Sequence, residues 1–189
     1  STAYNGAVYV YTRDNTSSWS QQAYIKPSNA QQTSSFSTYF GFTISLDNNT
    51  LAVGAQQDYS GQNTITNSSS NASTDTSSAG SGAVFVYTRS GTNWSQQSYI
   101  KASNSGPEDQ LGRSVALSGD TIVAGANKED TGDYYSNNDT GAAYVFTRSV
   151  TAWSEQTILR ASNSDDGDQF GHKVDIDNNT LVVSSIMED

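Results

Sequence analysis

The most constraining feature of this chain is a sequence pattern that occurs three times along its 189 residues. Each copy opens with a run such as GAVYVYTR, followed by Trp-Ser-Gln-Gln or Trp-Ser-Glu-Gln, by a Phe-Gly or Leu-Gly pair, and by a short apolar run. The opening runs lie at 6–13, 82–89 and 141–148. Motifs that return in fixed order mark the units of a repeat architecture, in which each unit packs against its neighbours.

The four runs of each copy have the pattern of short β-strands. In the first copy they are expected near 6–13, 19–26, 40–47 and 49–55, with matching positions in the other two copies. In the third run apolar residues alternate with polar ones, as at Phe42, Ile44 and Leu46, which is the period of a half-buried strand. No segment has helical periodicity, so the sequence predicts an all-β fold.

The three repeats are assigned to residues 6–81, 82–140 and 141–189, and the last would continue into residues 1–5 of a next unit. This phasing is that of a unit from a longer periodic array, because joining residue 189 to residue 1 restores a repeat of ordinary length. The first repeat is longer because of residues 56–81, which are rich in Ser, Asn and Thr. Such a composition predicts a loop without packed structure, either flexible or carrying glycans.

Charge restricts the partners that the chain can have. Nine Lys and Arg residues face nineteen Asp and Glu residues, for a formal net charge of −10. Because like charges repel, neither nucleic acid nor an anionic membrane surface is expected as a partner, whereas divalent cations are compatible with this charge. No apolar run approaches the length of a membrane-spanning helix, about 20 residues, so no membrane insertion is expected.

Three pairs of motifs carry a family resemblance. They are Phe40-Gly41 with Val53-Gly54-Ala55, Leu111-Gly112 with Ala124-Gly125-Ala126, and Phe170-Gly171 with the more divergent Val183-Ser184-Ser185. Over essentially its whole length the chain resembles FG-GAP repeat proteins, most closely those of bacterial surfaces and secretions and more distantly the integrin α-subunit head. The resemblance implies antiparallel four-stranded β-propeller blades, an extracellular location, and adhesion, ligand binding or matrix architecture. Three blades are too few to close a propeller, so an open array of about three repeats is expected.

The resemblance also implies calcium, which integrin-type blades hold in a loop between the FG and GAP strands. Here that loop is reduced to a tight turn at 47–50 and its two counterparts, which cannot supply the roughly six to eight oxygen ligands of Ca²⁺. A second acidic loop holds Glu129, Asp130, Asp133 and Asp139, and it is the candidate site for a divalent cation such as Ca²⁺. The alternative is a solvated acidic loop.

Two residue types return at fixed repeat positions. The tryptophans are Trp19, Trp94 and Trp153. The cations form two sets, the first of Arg13, Arg89 and Arg148 and the second of Lys26, Lys101 and Arg160. Packing between repeats is the expected role of the tryptophans, and pairing with carboxylates or carbonyls of a neighbouring repeat is that of the cations. The tryptophans leave a second interpretation open, because indole rings also stack on sugars in propeller lectins.

Modification with glycans is compatible with this composition. The acceptor pattern Asn-x-Ser/Thr begins at Asn15, Asn48, Asn67, Asn71, Asn93, Asn138 and Asn178.

Catalysis has little support in the sequence. The chain has no cysteine nucleophile, no phosphate-binding glycine loop and no G-x-S-x-G elbow, and its single histidine, His172, lacks the partners of a metal site or a triad. The sequence therefore predicts a non-enzymatic extracellular adhesion or binding module of β-propeller type. Its expected partners are other repeats, copies of itself, or a protein or glycan ligand. The alternative is a structural subunit of an extracellular filament or matrix, and a third interpretation is a glycan-binding lectin or sialidase-like propeller.

Overall fold

The computed structural model describes residues 5–30, 37–68, 72–130 and 138–189, and within these ranges all regular structure is β. The strands are β1 (Val8–Arg13), β2 (Trp19–Ile25), β3 (Thr43–Asp47), β4 (Thr50–Ala55), β5 (Ala83–Ser90), β6 (Asn93–Ile100), β7 (Ser114–Ser118), β8 (Thr121–Ala126), β9 (Ala142–Ser149), β10 (Ala152–Leu159), β11 (Lys173–Asp177) and β12 (Thr180–Ser184). They lie where the apolar runs predicted them.

The strands form two complete blades and two hairpins. Blade A has the spatial order β3-β4-β5-β6, blade B has the order β7-β8-β9-β10, and every pairing within them is antiparallel. The outer hairpin β1-β2 and the inner hairpin β11-β12 are two-stranded sheets. The prediction of an all-β array of four-stranded, blade-like sheets that is not closed by itself is confirmed.

The four runs of one sequence repeat do not share one sheet. In the first repeat, β1 and β2 pair only with each other, whereas β3 and β4 join β5 and β6 of the next repeat. A blade is therefore offset from the sequence repeat by two strands. The pairing that joins two repeats in one sheet is that of β4 with β5, which are far apart in sequence.

Tight turns join the first two strands of each blade. The residues that begin these turns, Asn48, Gly119 and Asn178, have φ values of 51°, 57° and 52°. Asn and Gly tolerate this left-handed conformation at little cost, which explains why they recur between the FG and GAP strands.

Two hydrophobic clusters lie between successive sheets. The first joins the outer hairpin to blade A and contains Val8, Ile25, Phe40, Phe85 and Tyr99. The second joins blade A to blade B and contains Val84, Ile100, Ile122, Tyr144 and Trp153, among others. Since the side chains of β4 and β5 alternate between these two clusters, both faces of these two strands are buried, as their nearly continuous apolar runs require.

Two glycines explain the FG-GAP spacing. A Cβ on Gly54 would lie 2.1 Å from the carbonyl oxygen of Gly112, and one on Gly125 would lie 1.8 Å from that of Gly171. The glycine of a GAP strand thus lies against the glycine of the FG motif in the following sheet, at a distance that no side chain permits.

Polar side chains of the first strands tie neighbouring sheets together. Ser45 Oγ accepts a hydrogen bond from the Leu117 amide at 3.0 Å, and Asp47 Oδ2 accepts one from the Gly119 amide at 2.7 Å. Ser114 Oγ likewise accepts from the Val174 amide of β11 at 3.0 Å. The polar residues of the third run thus face the first strand of the following sheet and bind its backbone.

The expectation that residues 56–81 lack packed structure is wrong for the part of this segment that the structure describes. Asp58, Ser60 and Ser81 are fully buried, and Thr66 pairs with Tyr99 along the outer edge of blade A. Short polar side chains bond local amides, as Asp58 Oδ1 does with the Ser60 amide at 3.0 Å. A segment rich in Ser and Asn can therefore pack through hydrogen bonds where its composition alone indicates none.

Candidate functional site

A buried ion pair lies where β4 and β6 end. Lys101 Nζ is 3.7 Å from Asp58 Oδ1, and both side chains are fully buried. Lys101 also donates hydrogen bonds to Ser81 Oγ at 2.7 Å and to the Gly82 carbonyl, while the Tyr99 hydroxyl donates to Asp58 Oδ1 at 2.6 Å. Burial lowers the pKa of Lys101 to about 8, although Asp58 favours its charged form. Because every member has a partner, this network fixes the end of blade A.

Blade B repeats this arrangement with different residues. Glu129 is 1% exposed, and it accepts hydrogen bonds from Arg160 of its own blade and from Asn104 of the preceding blade. Asn29 donates to Asp58 Oδ2 in the same way, at 2.9 Å. The described acids at this repeat position are Asp58, Glu129 and Glu188, and the asparagines are Asn29, Asn104 and Asn163.

Sequence reasoning predicted that Lys101 and Arg160 pair with a carboxylate or carbonyl of a neighbouring repeat, and both pair with such a carboxylate. It did not identify Asp58 and Glu129 as the acids. A sequence signal for these contacts was present. One pattern, a cation followed by Pro or Ala and then Ser-Asn, occurs three times, as Lys26-Pro-Ser-Asn, Lys101-Ala-Ser-Asn and Arg160-Ala-Ser-Asn. An acid also follows each GAP motif after two intervening residues. Read together, the two patterns would have predicted a contact between each cation and the acid of its blade.

Each described tryptophan of the complete blades is bound by the sheet that precedes it. Trp153 is 2% exposed, and its indole N–H donates to Gln97 Oε1 at 2.8 Å. Trp94 is half-buried and donates to Gln22 Oε1 at 3.0 Å. The acceptors are bulge residues, because the pairing register shifts by one residue at Gln22 and at Gln97. A β-bulge redirects a side chain, here towards the next sheet.

The repeated arginines cover these tryptophans. The guanidinium of Arg148 lies 5.0 Å from the Trp153 ring centre and that of Arg89 lies 5.6 Å from the Trp94 ring centre. Arg148 also forms an ion pair with Asp120, and Arg89 donates to Asn49 Oδ1. Each arginine thereby links its tryptophan to the turn of its own blade.

The first repeat differs because no sheet precedes it among the described residues. Trp19 is 66% exposed and Arg13 is exposed, and neither side chain has a hydrogen-bond partner in the described part of the chain. Of the three tryptophans, Trp19 is the most exposed.

The candidate cation residues have separate partners. Glu129 is bound by Arg160, Asp130 Oδ1 accepts from the Asn138 and Asp139 amides at 2.8 Å, and Asp139 lies 3.2 Å from Lys128. Asp133 lies outside the described residues. Within the described ranges no group of three or more acids, histidines or cysteines is arranged to hold a metal. A cation would have to displace these contacts, so the site stays a prediction.

His172 packs beside a cation. Its Nε2 lies 3.3 Å from Arg113 Nη2, and partial burial together with Arg113 and Lys173 lowers the pKa of the imidazole.

The candidate glycosylation sites differ in accessibility. Asn15, Asn48, Asn93 and Asn178 are exposed, Asn138 is half-buried, and Asn71 lies outside the described residues. Asn67 uses its amide for structure, because Nδ2 donates to the Trp153 carbonyl at 2.8 Å and Oδ1 accepts from the Trp153 amide. A glycan on Asn67 would alter this link between the two blades.

The concavities of the described surface include a groove and an open acidic concavity. A groove of about 330 Å³ runs between the 56–81 segment and β10, and its lining includes Thr64, Asn67, Ser103, Ser154 and Glu155. A larger open concavity of about 750 Å³ is acidic and is lined by Asp165, Asp166, Asp168 and Asp189, among others.

Comparison with known proteins supports the architecture. The family model described as FG-GAP repeat matches residues 94–146 and 153–189, so each match begins at a tryptophan and crosses the boundary between two sheets. No curated protein matches the chain. None of the residues that the structure describes belongs to a helix of the length and hydrophobicity that a membrane crossing requires. The blades, the glycine contacts between FG and GAP motifs and these two matches together identify the chain as an FG-GAP repeat protein.

Proposed function

We propose that this FG-GAP repeat protein is a non-enzymatic, extracellular adhesion or binding module of β-propeller type. The supporting observation is that the repeated side chains join the blades, whereas the 56–81 segment of the first repeat lines a surface groove. Side chains that recur in every repeat bind one blade to the next, as Trp153 binds Gln97 and Asn104 binds Glu129. The 56–81 segment is longer than its counterpart at 127–140, and it forms one wall of the groove beside β10. Binding specificity in such a scaffold lies in the loops that differ.

The groove beside the 56–81 segment is the proposed ligand site. Its walls are fixed, because Glu155 accepts hydrogen bonds from the Ser103 amide at 2.9 Å and from the Ser103 hydroxyl at 2.7 Å, and Asn67 binds Trp153. Thr64 and Ser154 are exposed at its rim. Hydroxyl and amide groups on a rigid wall suit a polar, hydrogen-bonding ligand, either a protein loop or a glycan.

A blocking substitution tests this site. Ser154→Arg places a long cation at the groove and should reduce binding by about tenfold or more to whichever probe of a glycan array or matrix-protein panel the chain captures. Ser20→Arg is the matched control, because Ser20 follows Trp19 at the same repeat position but does not line the groove. Unchanged binding by the Ser154→Arg variant would exclude the groove as the ligand site.

The second candidate function is a structural subunit of an extracellular filament or matrix. It is favoured by exposed apolar side chains at both ends of the array, such as Leu46 on β3, which is 60% exposed, and Val182 on β12, which is 62% exposed. Their counterparts inside the array, Leu117 and Val123, are buried between blades.

A further inference from the structure

Two surfaces of the array lack the neighbours that the complete blades have. We define the leading face as the free edge of β1 with Tyr9, Tyr11 and Trp19, together with Ile44 and Leu46 of β3, all of which are large and exposed. We define the trailing face as the free edge of β12 with Val182, Gln156, Asn179 and Glu188, which are also exposed.

We propose that the trailing face of one copy of this chain binds the leading face of a second copy, so that β11-β12 and the second copy's β1-β2 form one four-stranded blade. This inference rests on the structural-subunit function proposed above. Four features of the two faces match, and each is derived from the contacts of blades A and B.

The first match is between strand edges. In both complete blades the second strand pairs with the third in one register, Thr50 with Thr88 in blade A and Thr121 with Thr147 in blade B. The same register would pair Thr180 of β12 with the second copy's Thr12. Unpaired strand edges are templates for such pairing, and β1 and β12 each have one free edge.

The second match is one of charge. Glu188 stands where Asp58 and Glu129 stand, and it is bound by Asn163, but it has no cation partner among the described residues. Lys26 stands where Lys101 and Arg160 stand. It donates to the Gly6 carbonyl at 2.8 Å, as Lys101 does to the Gly82 carbonyl, but it has no described acid partner.

The shared blade would unite these two charges. Glu188 follows its second strand and Lys26 of the second copy follows its fourth, which are the places of Asp58 and Lys101 in blade A. The exposed glutamate and the exposed lysine would then form the third ion pair at this repeat position, after Lys101–Asp58 and Arg160–Glu129.

The third match is between a tryptophan and a bulge. Gln156 is the bulge residue of β10, and no described indole reaches it, whereas Gln97 binds Trp153. The second copy's Trp19 would occupy the corresponding place, where its exposed ring would become buried.

The fourth match is between an arginine and a turn. Arg89 donates to Asn49 Oδ1, and Arg148 to Asp120 Oδ1 at 2.7 Å. Asn179 is the equivalent turn residue between β11 and β12, and the second copy's Arg13 is its equivalent arginine.

One position on the trailing face departs from the blade pattern. Ser184 stands where Gly54 and Gly125 lie against the glycine of the next FG motif. Its Cβ would meet the second copy's Gly41, so the shared blade must sit slightly further from the second copy's β3 than blade A sits from β7. Ser184→Gly is therefore expected to strengthen the association.

The contact joins different faces of identical chains, so it either closes into a ring or continues as a filament. Each copy contributes two complete blades and half of two shared ones. Two copies would thus close a ring of about six blades, within the usual range for propellers, and a rotation that does not close would give a filament.

Charge reversal tests the proposal. Sedimentation velocity over a range of concentrations should show that the chain associates, and Lys26→Glu or Glu188→Lys should each weaken that association by about tenfold or more. The double variant carries both reversed charges and should recover association. Lys128→Glu is the control, because Lys128 pairs with Asp139 and neither residue belongs to the leading or the trailing face. Circular dichroism checks that each variant is folded, and negative-stain microscopy distinguishes rings from filaments.

The register is tested separately, which the absence of cysteine from the chain makes simple. A mixture of the Thr12→Cys and Thr180→Cys proteins should form disulfide-linked heterodimers on mild oxidation, whereas a mixture of Thr12→Cys with Val182→Cys should form far fewer. The reason is that side chains directly opposite across two strands are closer than diagonal ones.

A wild-type chain that sediments as a monomer at every concentration would overturn the proposal, because the faces would then serve other occupants, such as flanking repeats of one polypeptide. Association that survives both single charge reversals would overturn it as well. Ligand capture at the groove beside β10 is measured on the monomeric variants, so failure of the binding function and failure of this interface are distinguishable.

Discussion

The three tryptophans occupy one sequence position but have different surroundings, so their removal should have graded effects. Trp153 is 2% exposed and belongs to the cluster between blades A and B, whereas Trp94 is half-buried and Trp19 is 66% exposed. Replacing a fully buried tryptophan by alanine costs about 3–5 kcal/mol through lost burial and the cavity left behind. We expect Trp153→Ala to lower the free energy of unfolding by that amount.

Hydrogen bonding does not add to this cost. Gln97 Oε1 loses the indole N–H of Trp153 but keeps Arg148 Nη1, which donates to it at 3.1 Å. No orphaned acceptor therefore results, and the cost is that of packing. Trp94→Ala should cost less than Trp153→Ala because its ring is only partly buried, and Trp19→Ala should cost less than about 1 kcal/mol.

Urea unfolding followed by circular dichroism measures the three variants, at a concentration at which the chain is monomeric. Circular dichroism is suited to this comparison because tryptophan fluorescence would itself change with each substitution. Equal destabilisation by all three substitutions, or a Trp153→Ala variant as stable as the wild type, would refute the assignment of these residues to packing between blades. A loss of glycan binding with unchanged stability would favour the lectin interpretation.

Three further substitutions test other contacts of the array. Lys101→Met leaves the Asp58 carboxylate buried without its cation and should lower the free energy of unfolding by about 3–5 kcal/mol. The control Lys128→Met breaks a partly exposed pair and should lower it by less than about 1 kcal/mol. Urea unfolding measures both variants. Gly125→Ala places a Cβ 1.8 Å from the Gly171 carbonyl oxygen and should destabilise the fold by about 3 kcal/mol or more. The control is Gly91→Ala, which has open space around it but a φ of 62° and should cost about 1 kcal/mol. Equal melting temperatures for the two variants would contradict the close contact at Gly125. Burial raises the pKa of Asp109 to about 7, so the folded state keeps a proton that the unfolded state loses, and stability should fall as the pH rises from about 4 to about 7. Melting temperatures of Asp109→Asn should lack this fall, and an unchanged pH profile would show that Asp109 is not responsible.

The positions of the strands could be predicted from the sequence because their signals are local. The run at 49–55 became β4 (Thr50–Ala55), and its counterpart in the second copy became β8 (Thr121–Ala126). Alternation of apolar residues and the Asn or Gly of a tight turn depend only on neighbours in sequence. The same is true of the family resemblance, which rests on motifs in fixed order and which the match at 94–146 and 153–189 confirms.

The sequence predicted the general role of the repeated side chains but not how that role differs between the copies. Repetition indicated packing for the tryptophans, but nothing local distinguishes the buried Trp153 from the exposed Trp19, because burial depends on the presence of a preceding sheet. Similarly, Glu129 was assigned to a candidate cation loop, and its binding by Arg160 and Asn104 required two other strands to end beside it. The 56–81 segment looked unpacked because hydrogen-bonded packing has no apolar signal.

The sequence by itself determined the repeat, the four strands of each unit, their tight turns and the family. Only the tertiary structure decided that a blade takes its first two strands from one repeat and its last two from the next. The physical reason is that hairpins are local, since β3 and β4 are joined by a two-residue turn, whereas β4 finds β5 across a long segment. That non-local pairing depends on which strand edge is free and which apolar face is uncovered, and both are properties of the folded array.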